Sequence, residues 1–487
     1  MKSQQQHDLD VSKIRHQVAD QFQSKAIPLA LDSHTSNILR SFDYKKKAKT
    51  LGLNILNQVI TINPENQTVL VEPRMTMEEL HREVFKQGYI IPVLPEFKGI
   101  TVGGAINGAA IESSSFRDGQ FNDICMGYEI LIGDGTVIWA SPTHHADLFY
   151  AIPGSYGSLG IVVAVEIKLL PASEWVRLRY HPVNSVRQAI ELIRNLKKGY
   201  QAPDYLEGII YSPTKALVIE GSRVTAPNKD DKKISLGNPW NPWFYQHAEK
   251  YLEKSGEEVI SMTDYLFRHD RGAFWMGAYA THLPLFWRYL FEGILKWKWQ
   301  FPNWRSQENI SRFMKIKNPG FFFRSLLGWA MPSQTLYKLL HAGSEHWFEN
   351  KFVIQDFYIP EKHAETFLND TMDQEGIFPI WLCPVRATTQ PQLFSPHYQE
   401  TLSGAPAEDI IDIGLYGLPK GTKTIAEVTR RLEQETSKLG GRKMLYSHSY
   451  FTPDEFWKIY PEEEYRFLRQ RYHADGMWLN LDEKVLN

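Results

Sequence analysis

Cysteine is nearly absent: 487 residues carry only Cys125 and Cys383, far apart in the chain. So few thiols exclude a disulfide framework and a cysteine-based metal site, and they suit a reducing cytoplasm. Excess charge of one sign is also missing. A formal net charge of -2, with 23% charged residues, gives no reason to expect nucleic acid or another polyanion as partner. The longest apolar runs, such as residues 161–165, fall far short of the ~18 residues that a membrane-spanning helix needs. The N-terminal MKSQQQHDLDVSKIRHQVAD has no apolar core, so no signal peptide is expected. Walker loops, His-Glu-x-x-His zinc motifs and Gly-x-Ser-x-Gly elbows are absent, as is a Gly-x-Gly-x-x-Gly turn opening a long helix. His144 and His145 have no companion ligand nearby and read as a solvated loop, so no metal is expected.

What the chain does have is aromatic bulk, 13% with 14 Trp, and a length that suggests two or three domains. It also has a stretch of small residues, PEFKGITVGGAINGAAIESSSFRDG, at positions 95–119. Gly99, Gly103, Gly104 and Gly108 would let backbone lie directly against a flat or highly charged ligand. The apolar rhythm of Ile100, Val102, Ile106 and Ile111 argues that the stretch is buried. Two further small-residue loops frame it, Ser33-His34-Thr35-Ser36-Asn37 and the glycines Gly154, Gly157 and Gly160. Together the three loops read as backbone N–H donors for a diphosphate.

The periodicity predicts an α+β protein. Helices are expected over 11–22, 77–87 (capped by Thr76), 147–151, 185–196 and 425–439, and within 238–254. Strands are expected over 26–31, 58–62, 68–72, 90–94, 126–132, 137–140, 161–170, 205–211 and 216–220. Further strands are expected over 351–359, 377–382, 410–416 and 444–450. The first 170 residues lack the regular βαβ alternation of a dinucleotide-binding sheet.

The three loops, in this order, resemble the FAD-binding domain of the vanillyl-alcohol-oxidase or PCMH type. A narrower resemblance runs from about residue 33 to the C-terminus. TVGGAINGAAIESSS, DLFYAIP, NPWFYQHAEKYL, RHDRGAFW, FRSLLGWAMP, PIWLCP and DIGLYGLP are similar to the delta-24-sterol reductase (Diminuto/seladin) family. The resemblance implies a PCMH-type FAD-binding domain over 1–172 and a second α+β substrate domain over 173–440. It implies a segment, 441–487, that returns to the first domain. It also implies non-covalent FAD, NADPH as hydride donor, and reduction of an isolated C=C bond in a sterol-like or isoprenoid lipid. An FAD oxidase or dehydrogenase of an alcohol is the alternative.

Carried onto this chain, the cofactor-binding residues are Ser33, His34, Thr35, Ser36, Asn37, Thr101, Val102, Gly103, Gly104, Ala105, Asn107, Gly108, Ile111, Glu112, Ser113, Gly157, Gly160, Ile161 and Val162. Proton-donor candidates are Tyr416, Tyr446 and His448. Arg271, in a cluster with Arg268 and His269, is a positioning candidate because a guanidinium is a poor acid. Eukaryotic members of the family begin with a membrane-spanning segment, which this sequence does not show. Residues 284–319 look like an insertion, with Trp297, Trp299 and Trp304 among basic residues. That composition suits peripheral membrane contact and equally a lid helix packed in its own core. Otherwise a cytoplasmic protein acting on an apolar small molecule is expected.

Overall fold

A computed structural model describes residues 1–24, 27–32, 42–199, 202–280, 319–342, 351–388, 393–397 and 408–486. The loop 33–37 and nearly all of the 284–319 insertion lie outside the described residues.

Two sheets organise the chain. The five-stranded sheet runs in the order Val59–Asn63, Thr68–Val71, Ile161–Lys168, Cys125–Leu131, Val137–Ala140, with every pair antiparallel. The Met77–Phe85 helix starts at Thr76 with a capping box: the Thr76 hydroxyl accepts from Glu79 N–H, and the Glu79 carboxylate accepts from Thr76 N–H.

The long Gln4–Ser24 helix buries His7, Asp10, Val11, Ile14, Val18 and Gln21, one stripe at helical spacing. Its polar members are tied down. Lys2 Nζ lies 2.8 Å from Glu72 and 3.0 Å from Asp10. His7 bridges Glu72 at 2.7 Å and Glu129 at 3.0 Å.

The nine-stranded sheet is built entirely from strands that follow residue 174. Its centre is the row Lys215–Val224, Tyr205–Ser212, Ile380–Val385, Ile410–Gly417, Val353–Pro360. Both faces are covered, and the period of two assigns side chains to them. Leu206, Ile210, Leu382, Ile411, Ile413, Leu415, Phe357 and Ile359 pack with the helices Val186–Lys198, Glu361–Gln374 and Ile425–Lys438. The alternate positions, Glu207, Trp381, Cys383, Asp412, Tyr416, Asp356 and Tyr358, turn toward the first sheet's side of the molecule. There Leu206 N–H donates to Ser113 O at 2.8 Å, and Gln120 Nε2 donates to Tyr358 OH at 3.1 Å. Cys383 Sγ donates to Glu112 O at 3.2 Å.

Most expected elements form, several with shifted ends. Residues 444–450 do not form the expected strand. Only Arg442–Lys443 pairs in the sheet, and the chain then turns so that Ser447 Oγ donates to Ile354 O. Of 90–94, only Ile90 is strand, as the end of the two-residue Tyr89–Ile90. The helix expected within 238–254 shortens to Phe244–Ala248 with a 3-10 turn Glu249–Tyr251. The small-residue stretch departs furthest from expectation. Val102–Gly108 is a helix capped by Thr101, whose hydroxyl accepts from Gly104 N–H at 3.2 Å.

The His7 bridge makes stability depend on pH. Burial opposes its charge, but hydrogen bonds to Glu129 and Glu72 more than offset this and push it up to about 9. Because that lies above the ordinary value of 6.5, the stabilisation is complete below pH 6.5 and is lost as pH rises through about 9. His7→Gln should destabilise the protein by ~3 kcal/mol at pH 6, the cost of stripping a partner from buried carboxylates. Thermal unfolding of both proteins between pH 6 and 10 checks this: the gap should close toward pH 10.

Candidate active site

The small-residue helix and the third loop meet. Asn107 Nδ2 donates to Gly103 O at 2.8 Å, and Asn107 Oδ1 accepts from Gly157 N–H at 3.1 Å. Gly157 has φ +70, where a side chain is strained, and Gly154 has φ +77 with the Phe394 carbonyl where a Cβ would go. Gly104 is exposed, and an added Cβ there would meet only the Thr101 hydroxyl at 3.1 Å. Gly108 opens on clear space, whereas Gly103 lies against Pro73.

At the middle stretch several backbone N–H groups already have partners. Val102, Gly103 and Ala105 N–H donate to Met75, Pro73 and Thr101 carbonyls, and Gly104 N–H to the Thr101 hydroxyl. What these four residues and Gly108 offer a ligand is chiefly a surface bare of large side chains. Positive charge is supplied from elsewhere. Lys484 Nζ donates to Tyr156 O and Gly157 O at 3.1 and 3.0 Å, and Arg469 Nη1 to Ser158 O at 2.6 Å.

The other expected cofactor residues divide by face. Val102, Ala105 and Ile111 are buried in the core that runs between the sheets. Gly160 packs against Ile130, 2.9 Å from where its Cβ would be. Ile161 joins the cluster beneath the N-terminal helix with Val11 and Ile14, while Val162 points to the opposite side.

Glu112 and Ser113 enter a buried polar network. Glu112 Oε2 accepts from Ser113 N–H at 2.7 Å and from Ser113 Oγ at 2.8 Å, and Glu112 Oε1 accepts from Ser114 N–H at 3.0 Å. Facing it is Arg268, whose Nε donates to Glu207 Oε1 at 2.8 Å and whose Nη1 lies 3.8 Å from Glu112. Arg268 also lies over the Tyr265 ring at 4.2 Å. Glu207 Oε2 contacts His269 Nε2 at 2.9 Å and accepts from Trp381 Nε1 at 2.8 Å.

One buried cation is thus shared among three acids. Burial works against the charge of Arg268, but Glu207, Tyr265 and Glu112 outweigh it and keep the guanidinium charged. Burial also works against Glu207, and Arg268 with His269 holds its carboxylate well below the usual range. Glu96 has the weaker share, 4.0 Å from Arg268, and burial pushes its carboxyl well up. Burial lowers His269 to about 4, leaving a neutral imidazole. Among the described residues, Glu96 Oε1, Arg268 Nη2 and His269 Nδ1 are buried without a hydrogen bond. Buried polar atoms left in that state point toward a ligand.

Along the same face, Tyr416 OH donates to Asp356 Oδ1 at 2.5 Å and Tyr446 OH donates to Asp356 Oδ2 at 2.7 Å. Tyr416 is buried and Tyr446 half-buried. Burial pushes Asp356 up to about 6, although both tyrosines favour its charged form. The backbone carbonyl of His448 accepts from Gln355 Nε2 and Lys443 Nζ. The Arg271 guanidinium donates to the carbonyls of Asn238 and Gly237 and fixes that loop.

An FAD binding domain family matches residues 16–141. Over 92% of this chain and 79% of the relative, the human Delta(24)-sterol reductase is 32% identical. The Arabidopsis thaliana Delta(24)-sterol reductase is 30% identical over 99% of this chain and 84% of its own length. A Delta(24)-sterol reductase homolog of Caenorhabditis elegans is 28% identical over 91% of this chain and 80% of its own length. The chain belongs to the Delta(24)-sterol reductase family. As a family member it is an FAD-dependent oxidoreductase with a PCMH-type FAD-binding domain. The residues present fit that cofactor: a bare glycine surface at Gly104 and Gly108, cations behind the third loop, and buried polar atoms wanting partners.

Glu207, Glu96, Asp356 and Asp412 lie outside the residues singled out from the sequence. For Glu207, Asp356 and Asp412 the signal is an acid inside an apolar strand, as in IIDIGLYG, where burial forces a carboxyl to find a partner or keep its proton; Glu96 lies in a loop and carries no such signal.

Arg268→Met should cost ~3–5 kcal/mol, because it strands the Glu207 carboxylate. Arg268→Met combined with Glu207→Gln should recover most of the loss, which urea unfolding of the three proteins checks.

Proposed function

We propose that this chain reduces the Δ24 double bond of a sterol, with NADPH as the hydride donor. The observation that carries the reading is the pair of tyrosine hydroxyls held on Asp356, on a buried face of the nine-stranded sheet. In this reading residues 1–172 hold the cofactor, 173–440 receive the sterol, and 441–487 close onto the first part. Thr101, Gly103, Gly104, Asn107, Gly108 and Gly157 lie along the cofactor, and Ser33, His34, Thr35, Ser36 and Asn37 complete the wall from outside the described residues. When bound, FAD supplies hydride transfer between NADPH and one alkene carbon.

The chain's own part is positional and acidic. A tyrosine hydroxyl protonates the other alkene carbon, and the aromatic face of Phe274, Trp275 and Trp381 beside Tyr416 excludes water. Keeping the tyrosines protonated is straightforward, since burial and then Asp356 raise both well above the ordinary value. Arg268 and His269 orient the polar network beside the reacting centre, while Arg271 acts only through the loop it holds.

Sterols reside in membranes, and an exposed apolar surface suits a lipid contact. Phe321, Phe322 and Leu326 are 59%, 81% and 72% exposed on the short Phe321–Leu327 helix, with Trp240 and Trp329 also exposed. Among the described residues no helix is long and apolar enough to cross a membrane. Peripheral contact from the cytoplasmic side is the proposed arrangement, the two thiols staying free and buried.

Anaerobic spectroscopy tests the reaction. NADPH should bleach the flavin, and a Δ24-unsaturated sterol should restore its colour with a product heavier by two hydrogens. Bleaching by an alcohol without NADPH would instead identify an oxidase. Tyr416→Phe with Tyr446→Phe should leave bleaching intact and slow recolouring ~10²–10⁴-fold, the usual worth of a positioned acid. Gly104→Val, at an exposed position, should fold yet lack flavin absorbance. Phe322→Asp with Leu326→Asp should abolish co-sedimentation with phosphatidylcholine vesicles, and unchanged sedimentation would reject that surface.

A further inference from the structure

Asp356 does not stand alone. In the antiparallel register Asp356 opposes Gly414 and Tyr358 opposes Asp412, so the two aspartates are diagonal neighbours on one face of adjacent strands. Both are buried, and among the described residues neither Asp412 oxygen has a hydrogen bond. Two ionised carboxylates cannot bond to each other, since each only accepts; one proton between them turns Asp412 into a donor.

We infer that Asp356 and Asp412 share one proton and form a reservoir that reloads the tyrosine acid during alkene reduction. This rests on the tyrosine reading above and adds to it two residues that act through Tyr416 and Tyr446.

The need for a reservoir follows from the short contacts. A tyrosine 2.5 or 2.7 Å from an ionised carboxylate is a poor acid, because the phenolate left behind would be repelled. With a proton held in the carboxyl pair, that proton moves to the phenolic oxygen as the tyrosine gives up its own. The tyrosine O–H bond breaks, a C–H bond forms on the alkene carbon that does not receive the hydride, and the phenol is restored. The pair is left as two carboxylates and takes one proton from water.

The surroundings favour one shared proton at neutral pH. Burial and then Asp356 push Asp412 well up, and Glu96 adds to this. Lys443 works the other way on Asp356. Tyr337, Tyr358 and Cys383 also face the pair and are neutral, each pushed up by burial first. The two groups titrate as a unit.

Single-turnover recolouring of NADPH-reduced enzyme by a Δ24-unsaturated sterol, followed from pH 5 to 10, tests the inference. In the wild type the rate should fall at high pH, where the pair loses its last proton. Asp412→Asn keeps a donor to Asp356 but no transferable proton. It should recolour ~10²-fold more slowly at pH 7.5, with the fall displaced to acid pH, and NADPH bleaching should be unchanged. Asp412→Glu should recover most of the rate. An Asp412→Asn enzyme with wild-type rate and pH profile would overturn the inference, as would parallel loss of bleaching. If that variant fails to bind FAD, Asp356→Asn should show the same slow step, and a wild-type rate there would also overturn it. The Tyr416→Phe, Tyr446→Phe double variant separates the two readings. Full activity in it removes the tyrosine acid itself, whereas a slow double variant beside an unaffected Asp412→Asn removes only the reservoir.

Discussion

The nine-stranded sheet is buried on both faces, and that constraint shapes everything around it. One face meets three helices and is apolar along the central strands. The other meets the first sheet's side of the molecule and carries Glu207, Asp412 and Asp356 beside Trp381 and Tyr416. Taking three carboxylates out of water costs several kcal/mol each unless they are paired or protonated. Both solutions occur. Arg268 neutralises Glu207, and protonation relieves the Asp356–Asp412 pair. A cold, apolar interface would be more stable, so the acids mark where chemistry takes precedence over packing.

The division of labour follows from secondary structure. Strands fix Asp356, Asp412 and Tyr416 to a rigid frame. Tyr446 comes from a turn just after the edge strand, so it can be half-buried and still reach Asp356. Glycine-rich backbone gives close approach at the other wall, where Gly157 supplies a left-handed turn and Asn107 locks it to the helix. The proposed site is thereby bounded by one wall poor in side chains and another dense with them.

Much of this was legible in the sequence. The FAD-binding domain, the hairpins of the first sheet and the strand 410–416 follow from small-residue spacing and period-two alternation. The helical state of Val102–Gly108 did not follow, because glycine and alanine carry no hydrophobic pattern to reveal it and the Thr101 cap decides. Residues 444–450 alternate like a strand, yet tertiary bonds from Ser447 to Ile354 and from Tyr446 to Asp356 override that local preference. Arg268, His269 and Arg271 are neighbours in sequence, and nothing local separates them. Only the direction of each side chain sends two to Glu207 and the third to a loop carbonyl. Asp356 and Asp412 become partners through strand register, which lies beyond any single stretch.

The loop at Tyr156, Gly157 and Ser158 is held from behind by Lys484 and Arg469, residues more than 300 positions later in the chain. Leu29 likewise takes a backbone hydrogen bond from its N–H to the carbonyl of Met477. The order of synthesis therefore matters. The loop cannot reach its final hydrogen-bonded form until the C-terminal residues have been made and docked, and a chain ending before residue 469 would leave the carbonyls of Tyr156, Gly157 and Ser158 without their cationic donors.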